Sequence, residues 1–196
     1  RREIDRMLAE ADPGNTLLRA RKLGILSAIS QELSWPSKAN SLIYRAGSNF
    51  TNNQYYAFLA VQLTNLQGDA LSERLNLPRK TRSIVRNVID MRNSFELQDA
   101  RSLTNGKVHK LFAKATREAL NAIAILSNDV FTRRHIASYL KAISELDKYL
   151  TGNEIIELGV SVGPEVGQIE FDLQVAQLEG IVSNKKEAMD FVQSYL

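Results

Sequence analysis

Four basic residues cluster in the middle of the chain, just after a proline where a long helix is predicted to begin. Arg79, Arg82 and Arg86 are spaced i, i+3 and i+7, which places them on one helix face, and Lys80 lies beside them. Cations arranged in this way neutralise phosphates without reading a base sequence. The helix macrodipole disfavours positive charge at a helix start, so the pattern favours an anionic ligand there.

A second basic group lies further along the chain. Arg133 and Arg134 precede His135 at the start of a later predicted helix, and they are further candidates for phosphate contacts. The alternative for both groups is a helix face that contacts only water, because 24% of the residues are charged. The sequence leaves this alternative open.

Residues that could perform catalysis do not form a recognisable set. His109 and His135 are the only histidines, and neither has metal-ligand spacing or a nucleophile beside it. There is no Asp-x-Asp pair to hold two metal ions and no Gly-x-x-x-x-Gly-Lys phosphate loop. The chain also lacks cysteine, which excludes disulfides and thiolate metal sites. We predict no catalytic residue, no metal site and no cofactor in this chain.

The elements that would position these residues are helices. Apolar residues recur with a helical period from Trp35 to Tyr149, and no long stretch alternates as a strand does. A stripe that begins at Tyr55 is predicted to stop at Gly68, and the long helix follows Pro78. N-caps are predicted at Asp12, at Thr104 or Asn105, and at Asp129. The fold class is therefore all-α, with roughly ten helices, no sheet and an elongated arrangement.

Charge divides the chain near residue 150. Residues 1–150 contain 23 Lys and Arg against 14 Asp and Glu, a formal +9, whereas residues 151–196 contain 2 against 8, a formal −6. The whole-chain charge of +3 conceals this difference. No run of apolar residues reaches membrane-spanning length, so no membrane partner is expected.

Residues 151–180 are predicted to form two helices around a glycine-rich turn. Thr151 and Glu154 have the spacing of a capping box, Gly159 is suited to end the first helix, and Pro164 to begin the second. Gly167 is predicted to allow a close backbone approach.

That turn is a second candidate phosphate site. The backbone N–H groups between Ser161 and Val166 could bind an anion without basic side chains, and a valine at Gly163 is expected to distort the turn. Lys185 and Lys186 would add positive charge nearby. The alternative is that the turn is only a packing corner.

The same stretch resembles the C-terminal tail of bacterial tRNA nucleotidyltransferases, the CCA-adding enzymes and their poly(A) polymerase relatives. That tail reads Gly-x-Asp-Leu-x-x-Leu-Gly, then Gly-Pro-x-x-Gly, then an apolar helix that ends Leu-x-Gly. The matching residues here are Gly152, Glu154, Ile155, Leu158, Gly159, Gly163, Pro164, Gly167, Ile169, Leu173, Ala176, Leu178 and Gly180. The sequence departs from the family at Glu154, where Asp is usual, and at Glu170, where an apolar residue is usual.

The N-terminal residues resemble the neck of the same family. Glu3, Ile4, Met7 and Leu8 match a helix that reads x-x-Glu-Leu-x-x-Ile-Leu. The chain starts with Arg rather than Met, and we expect it to be a piece of a longer protein. The resemblance then implies that a catalytic head with metal-binding carboxylates lies upstream.

The resemblance implies a division into neck helices at 1–34, a helical body at 35–150 and a helix-turn-helix tail at 151–196. It implies a cytoplasmic RNA-binding region that holds the acceptor arm and elbow of a tRNA while the head, with Mg²⁺ and CTP or ATP, adds nucleotides to the 3′ end. Two alternatives remain: a poly(A) polymerase that acts on other RNA, and a helical protein-interaction module.

Overall fold

The computed structural model describes residues 1–31, 33–36, 38–46, 50–96 and 103–196. Over those residues the chain contains α-helices and no strand, which confirms the all-α prediction. There are thirteen helices in the described ranges, where about ten were predicted. In chain order they are α1 (Arg2–Leu8), α2 (Pro13–Lys22), α3 (Ile25–Ile29), α4 (Ala39–Ala46), α5 (Asn52–Ala60), α6 (Asn65–Arg74), α7 (Arg79–Glu96), α8 (Asn105–Phe112), α9 (Arg117–Leu126), α10 (Val130–Ser144), α11 (Gly152–Glu157), α12 (Pro164–Leu178) and α13 (Lys185–Gln193).

The chain divides into two compact units. The first contains Arg1–Ala100 and Lys114–Ile136, and the second contains Arg101–Ala113 and Ala137–Leu196. Helix α10 contributes residues to both units. The division into neck, body and tail stays a prediction.

The predicted N-caps begin helices as expected. The side chains of Asp12 and Thr104 accept hydrogen bonds from the third residue of α2 and α8 respectively. Asp129 accepts from the hydroxyl and the N–H of Thr132, and these bonds hold the pKa of the Asp129 carboxyl below its ordinary value. Local sequence alone sets these starts, because a cap needs only its own first turn.

The core of the first unit is formed mainly by α5, α7 and α9. An aromatic group lies at its centre, where the Phe58 ring meets Phe50 edge-on at 5.1 Å and Trp35 at 6.3 Å between ring centroids. The indole N–H of Trp35 donates to Asn40 Oδ1 at 2.7 Å, so this buried polar atom is satisfied. Other fully buried side chains of this core are Leu59, Leu63, Leu71, Ile89 and Ile123.

The structure corrects the prediction at Gly68. Helix α5 ends at Ala60, and α6 begins after Thr64, which forms a capping box with Gln67. Gly68 therefore lies inside α6 instead of ending a helix, and Leu66, which falls within the predicted stripe from Tyr55 to Gly68, is 81% exposed. A Cβ at this position would collide with the buried side chain of Ile89 on α7.

Gly68→Val is expected to lower the free energy of unfolding by about 1–3 kcal/mol, because the added atoms overpack the contact between α6 and α7. Gly167→Val is the matched control, since Gly167 is also helical and has no atom within 4 Å of a Cβ position. The control should stay within about 0.5 kcal/mol of the parent. Urea unfolding of the two variants measures the difference, and equal stabilities would contradict the steric role of Gly68.

The core of the second unit lies under α11, α12 and α13. Leu150, Ile155, Ile169, Leu173 and Val192 are buried in it. Glu170, which departs from the family pattern, stays out of this core: its carboxylate pairs with Lys148 Nζ at 2.6 Å. Helix α12 also packs along α8.

Candidate nucleic-acid interface

Helix α7 presents its basic residues to solvent. Its buried face is formed by Thr81, Ile84, Val85, Val88 and Ile89, which pack into the first unit. The α7 basic cluster (Arg79, Lys80, Arg82 and Arg86) is exposed throughout. The helical period that buries one face of α7 therefore displays the other, as the sequence predicted.

The residues of the α7 basic cluster differ in their ion pairing. Arg86 lies 3.4 Å from the carboxylate of Asp69, so part of its charge is already neutralised. Within the described ranges, Arg79, Lys80 and Arg82 have no carboxylate within 4 Å. These three are the cations of the cluster that remain available to an anion.

Arg133 and Arg134 do not lie beside the α7 basic cluster. They precede His135, whose ring is 6.4 Å from that of Phe95 near the last turn of α7. Phe95 follows Arg82 by thirteen residues along α7, which corresponds to about 20 Å of helix. The two groups are therefore separate points of positive charge, and a ligand that contacts both must be extended.

Two further basic residues next to α7 were missed by the sequence reasoning. The side chain of Asn87 donates to the carbonyl of Lys114 at 3.1 Å and accepts from the N–H of Thr116 at 2.7 Å. These bonds hold Lys114 and Arg117, both exposed, at the side of α7. The available signal was a pair of cations three positions apart in the sequence.

The glycine-rich turn has the predicted backbone conformation. Thr151 and Glu154 form the capping box of α11, Gly159 has φ +115° after the end of that helix, and Pro164 is the first residue of α12. No side chain caps α12. The N–H of Val166 donates to Gly163 O, which leaves other N–H groups of the turn, such as those of Val162 and Glu165, without a partner in the described part of the chain.

The steric roles predicted for Gly163 and for Gly167, which lies within α12, are wrong. A Cβ at Gly163 or Gly167 would have no atom within 4 Å, so neither residue permits a close approach. Gly163 has φ 161°, an extended conformation that any residue adopts. A valine at Gly163 thus has no steric reason to distort the turn. Phosphate binding by the turn stays a prediction.

Lys185 has a structural partner. Its Nζ lies 2.5 Å from Oε1 of Glu154, the capping-box residue of α11. The hydrogen bond from Lys185, together with those from Thr151, lowers the pKa of the Glu154 carboxyl to about 2. Lys186 is exposed and has no carboxylate partner within the described residues, so it carries more available charge than Lys185.

His109 is a buried polar group in the second unit. It is 6% exposed, and its ring stacks on Phe171 with centroids 4.9 Å apart. Nε2 lies 3.2 Å from the amide oxygen of Gln174, which can only accept, so Nε2 carries the proton. Nδ1 then accepts from the hydroxyl of Tyr139 at 2.9 Å. Burial lowers the pKa of this imidazole below its ordinary value.

Stability is expected to fall as the pH is lowered from 7.5 to 5.5. The unfolded chain takes up a proton at His109 near pH 6.5, whereas the folded chain resists it, so acid favours unfolding. Thermal unfolding at the two pH values measures the effect, and His109→Gln should reduce the difference between them. An unchanged difference in this variant would assign the pH dependence to other groups.

The described residues contain no group of three or more His, Cys, Asp or Glu side chains placed to hold a metal ion. Within the same ranges, no helix combines the length and the apolar character needed to span a bilayer.

No family model matches the chain. A curated relative, the CCA-adding enzyme of Lactobacillus johnsonii, is 23% identical over 133 residues, which is 67% of this chain and 33% of that enzyme.

Solved structures of CCA-adding enzymes share the fold of the chain. The Thermotoga maritima CCA-adding enzyme complexed with tRNA is similar over 99% of this chain and 50% of its own, with a TM-score of 0.70 and 18% identity. A CCA-adding enzyme with ATP has a TM-score of 0.68 at 18% identity over 99% of this chain and 49% of its own. The chain thus spans about half the length of these structures. The resemblance drawn from the sequence motifs is confirmed.

Proposed function

We propose that the chain is the RNA-binding region of a tRNA nucleotidyltransferase that holds the acceptor arm and elbow of a tRNA. A catalytic head in another part of the parent protein then adds nucleotides to the 3′ end. The observation that carries this proposal is the similarity of the whole fold to one half of a CCA-adding enzyme in complex with tRNA.

The charge on α7 supports the same function. Arg79, Lys80 and Arg82 are exposed cations at a helix start, where the macrodipole disfavours positive charge unless an anion is near. Contacts from such residues to phosphates fix the position of an RNA but carry no sequence information. This property suits a protein whose substrates share a shape rather than a sequence.

The proposal assigns the chemistry to the head. Two metal ions for phosphoryl transfer need paired carboxylates, and the sequence has no Asp-x-Asp pair. In this proposal Mg²⁺, CTP and ATP therefore bind to the head, which works in the cytoplasm together with this chain. The role of the chain is to bind and orient the RNA.

Binding of labelled RNA to the chain tests the proposal. We expect fluorescence anisotropy to show that a tRNA without its terminal adenosine binds more tightly than an oligoadenylate of equal length. The affinity for tRNA should fall linearly with salt on logarithmic axes. Equal binding of both RNAs would favour the poly(A) polymerase alternative, and no RNA binding at low salt would favour a protein-interaction module.

A second measurement tests the division of labour. Incubation of the chain with the same tRNA, ATP and Mg²⁺ should give no extension of the 3′ end, because the sequence has no Asp-x-Asp pair to hold the metal ions for that step. Gel electrophoresis at single-nucleotide resolution detects the product. If the extension activity copurifies with this chain and is lost when the chain is removed from the sample, the assignment of the chemistry to the head is wrong.

A further inference from the structure

We propose that Lys114 and Arg117 form a second edge of the phosphate-binding surface on α7, and that Asn87 positions them there. The ligand class is an RNA backbone, so this inference rests on the proposed function. It adds residues that lie about thirty positions from the α7 basic cluster in the sequence and that only the fold brings beside it.

Asn87 attaches the segment before α9 to α7. Asn87 uses both ends of its side-chain amide, donating to Lys114 O at 3.1 Å and accepting from Thr116 N at 2.7 Å. An amide that bonds one segment at two backbone points fixes its orientation as well as its distance. Helix α9 continues from there as one of the main partners of α7.

Asn87 lies on the same side of α7 as Lys80. Lys80 and Asn87 are seven residues apart, which is close to two turns, so they lie on the same side of the helix. Arg79, Arg82 and Arg86 lie on the other side of the exposed Ser83. Lys114 and Arg117 therefore lie on the side of Lys80, across Ser83 from the three arginines.

The charges of Lys114 and Arg117 are available to a ligand. Lys114 and Arg117 are exposed, and no carboxylate of the described residues lies within 4 Å of either cation. Arg117 is the first residue of α9 and Lys114 precedes its N-cap, so both lie at the positive end of a helix, as Arg79 and Lys80 do. Glu118 offsets part of this charge. Cations at both helix starts are unfavourably placed unless an anion is near, and an RNA backbone that follows this side of α7 would supply one.

The test is tRNA binding by the full chain with Lys114→Ala and Arg117→Ala combined. We expect affinity about tenfold lower and a salt dependence shallower by roughly one to two units of slope. Lys22→Ala with Arg45→Ala is the matched control. It removes the same charge from exposed last-turn residues of α2 and α4, where the macrodipole favours cations, and should have a smaller effect on both quantities.

A double-mutant cycle tests the positioning role of Asn87. Asn87→Ala should weaken tRNA binding. In that variant, the further changes Lys114→Ala and Arg117→Ala should reduce the affinity for tRNA by a smaller factor than they do in the parent chain. If Asn87 acted only on stability, removal of Lys114 and Arg117 would reduce the affinity for tRNA by the same factor with and without Asn87. Circular dichroism at the binding temperature confirms that each variant is folded.

The outcomes separate this inference from the proposed function. If the parent chain binds tRNA while the double variant matches the control in affinity and salt slope, the second edge is wrong and the proposed function stands. If the parent chain binds no RNA, both fail. If the losses of affinity from Asn87→Ala and from the two charge removals simply add, the positioning role of Asn87 is wrong, but the second edge stands.

Discussion

Replacing Arg79, Lys80 and Arg82 together by alanine is expected to weaken tRNA binding by one to two orders of magnitude. All three are exposed cations without a carboxylate partner in the described part of the chain, so each can contact a phosphate at full charge. Each lost contact should lower the slope of log affinity against log salt by roughly one. Anisotropy titrations at several salt concentrations measure both quantities.

The chain offers a control on the same helix face. Arg86 shares its charge with Asp69 at 3.4 Å, so Arg86→Ala should reduce affinity less than Arg82→Ala. Helix content should be unchanged in every variant, because removal of exposed side chains alters stability by about 0.5 kcal/mol or less. If the triple variant keeps the affinity and salt slope of the parent, the α7 basic cluster is a solvated face.

Phe58→Ala is expected to lower the free energy of unfolding by about 3–5 kcal/mol. The Phe58 side chain is 0% exposed and is surrounded by Trp35, Phe50 and Tyr55. Truncation removes its burial and leaves a cavity that rigid aromatic neighbours cannot close. This loss is a large share of the stability of a typical domain.

Trp35 makes the measurement specific. It is the only tryptophan of the chain and touches Phe58, so its fluorescence during urea unfolding reports on the first unit. Phe58→Leu is the milder comparison, because it keeps most of the buried volume, and should cost less. A change below about 1 kcal/mol for Phe58→Ala would show that the aromatic group does not hold the first unit together.

The sequence by itself determined the helical class and several of the helix starts. Asp12, Thr104, Asp129 and the Thr151–Glu154 capping box act as predicted, because a cap is formed by residues three positions apart. That Arg79, Arg82 and Arg86 share one face of α7 was likewise predictable, since the helical period fixes which residues lie on the same side of a helix. The family resemblance was carried by similarly local motifs in residues 152–180.

The tertiary structure decided what residues distant in sequence do to one another. Gly68 was predicted to end a helix because nothing nearby in the sequence reveals that Ile89 occupies the space beside it. Lys185 was expected to add positive charge near the turn before α12, but the fold pairs it with Glu154, 31 residues away. Asn87 binds the backbone of Lys114 and Thr116, which are 27 and 29 residues away in the sequence. Period and capping describe a single helix, whereas steric fit and available charge depend on which helices become neighbours.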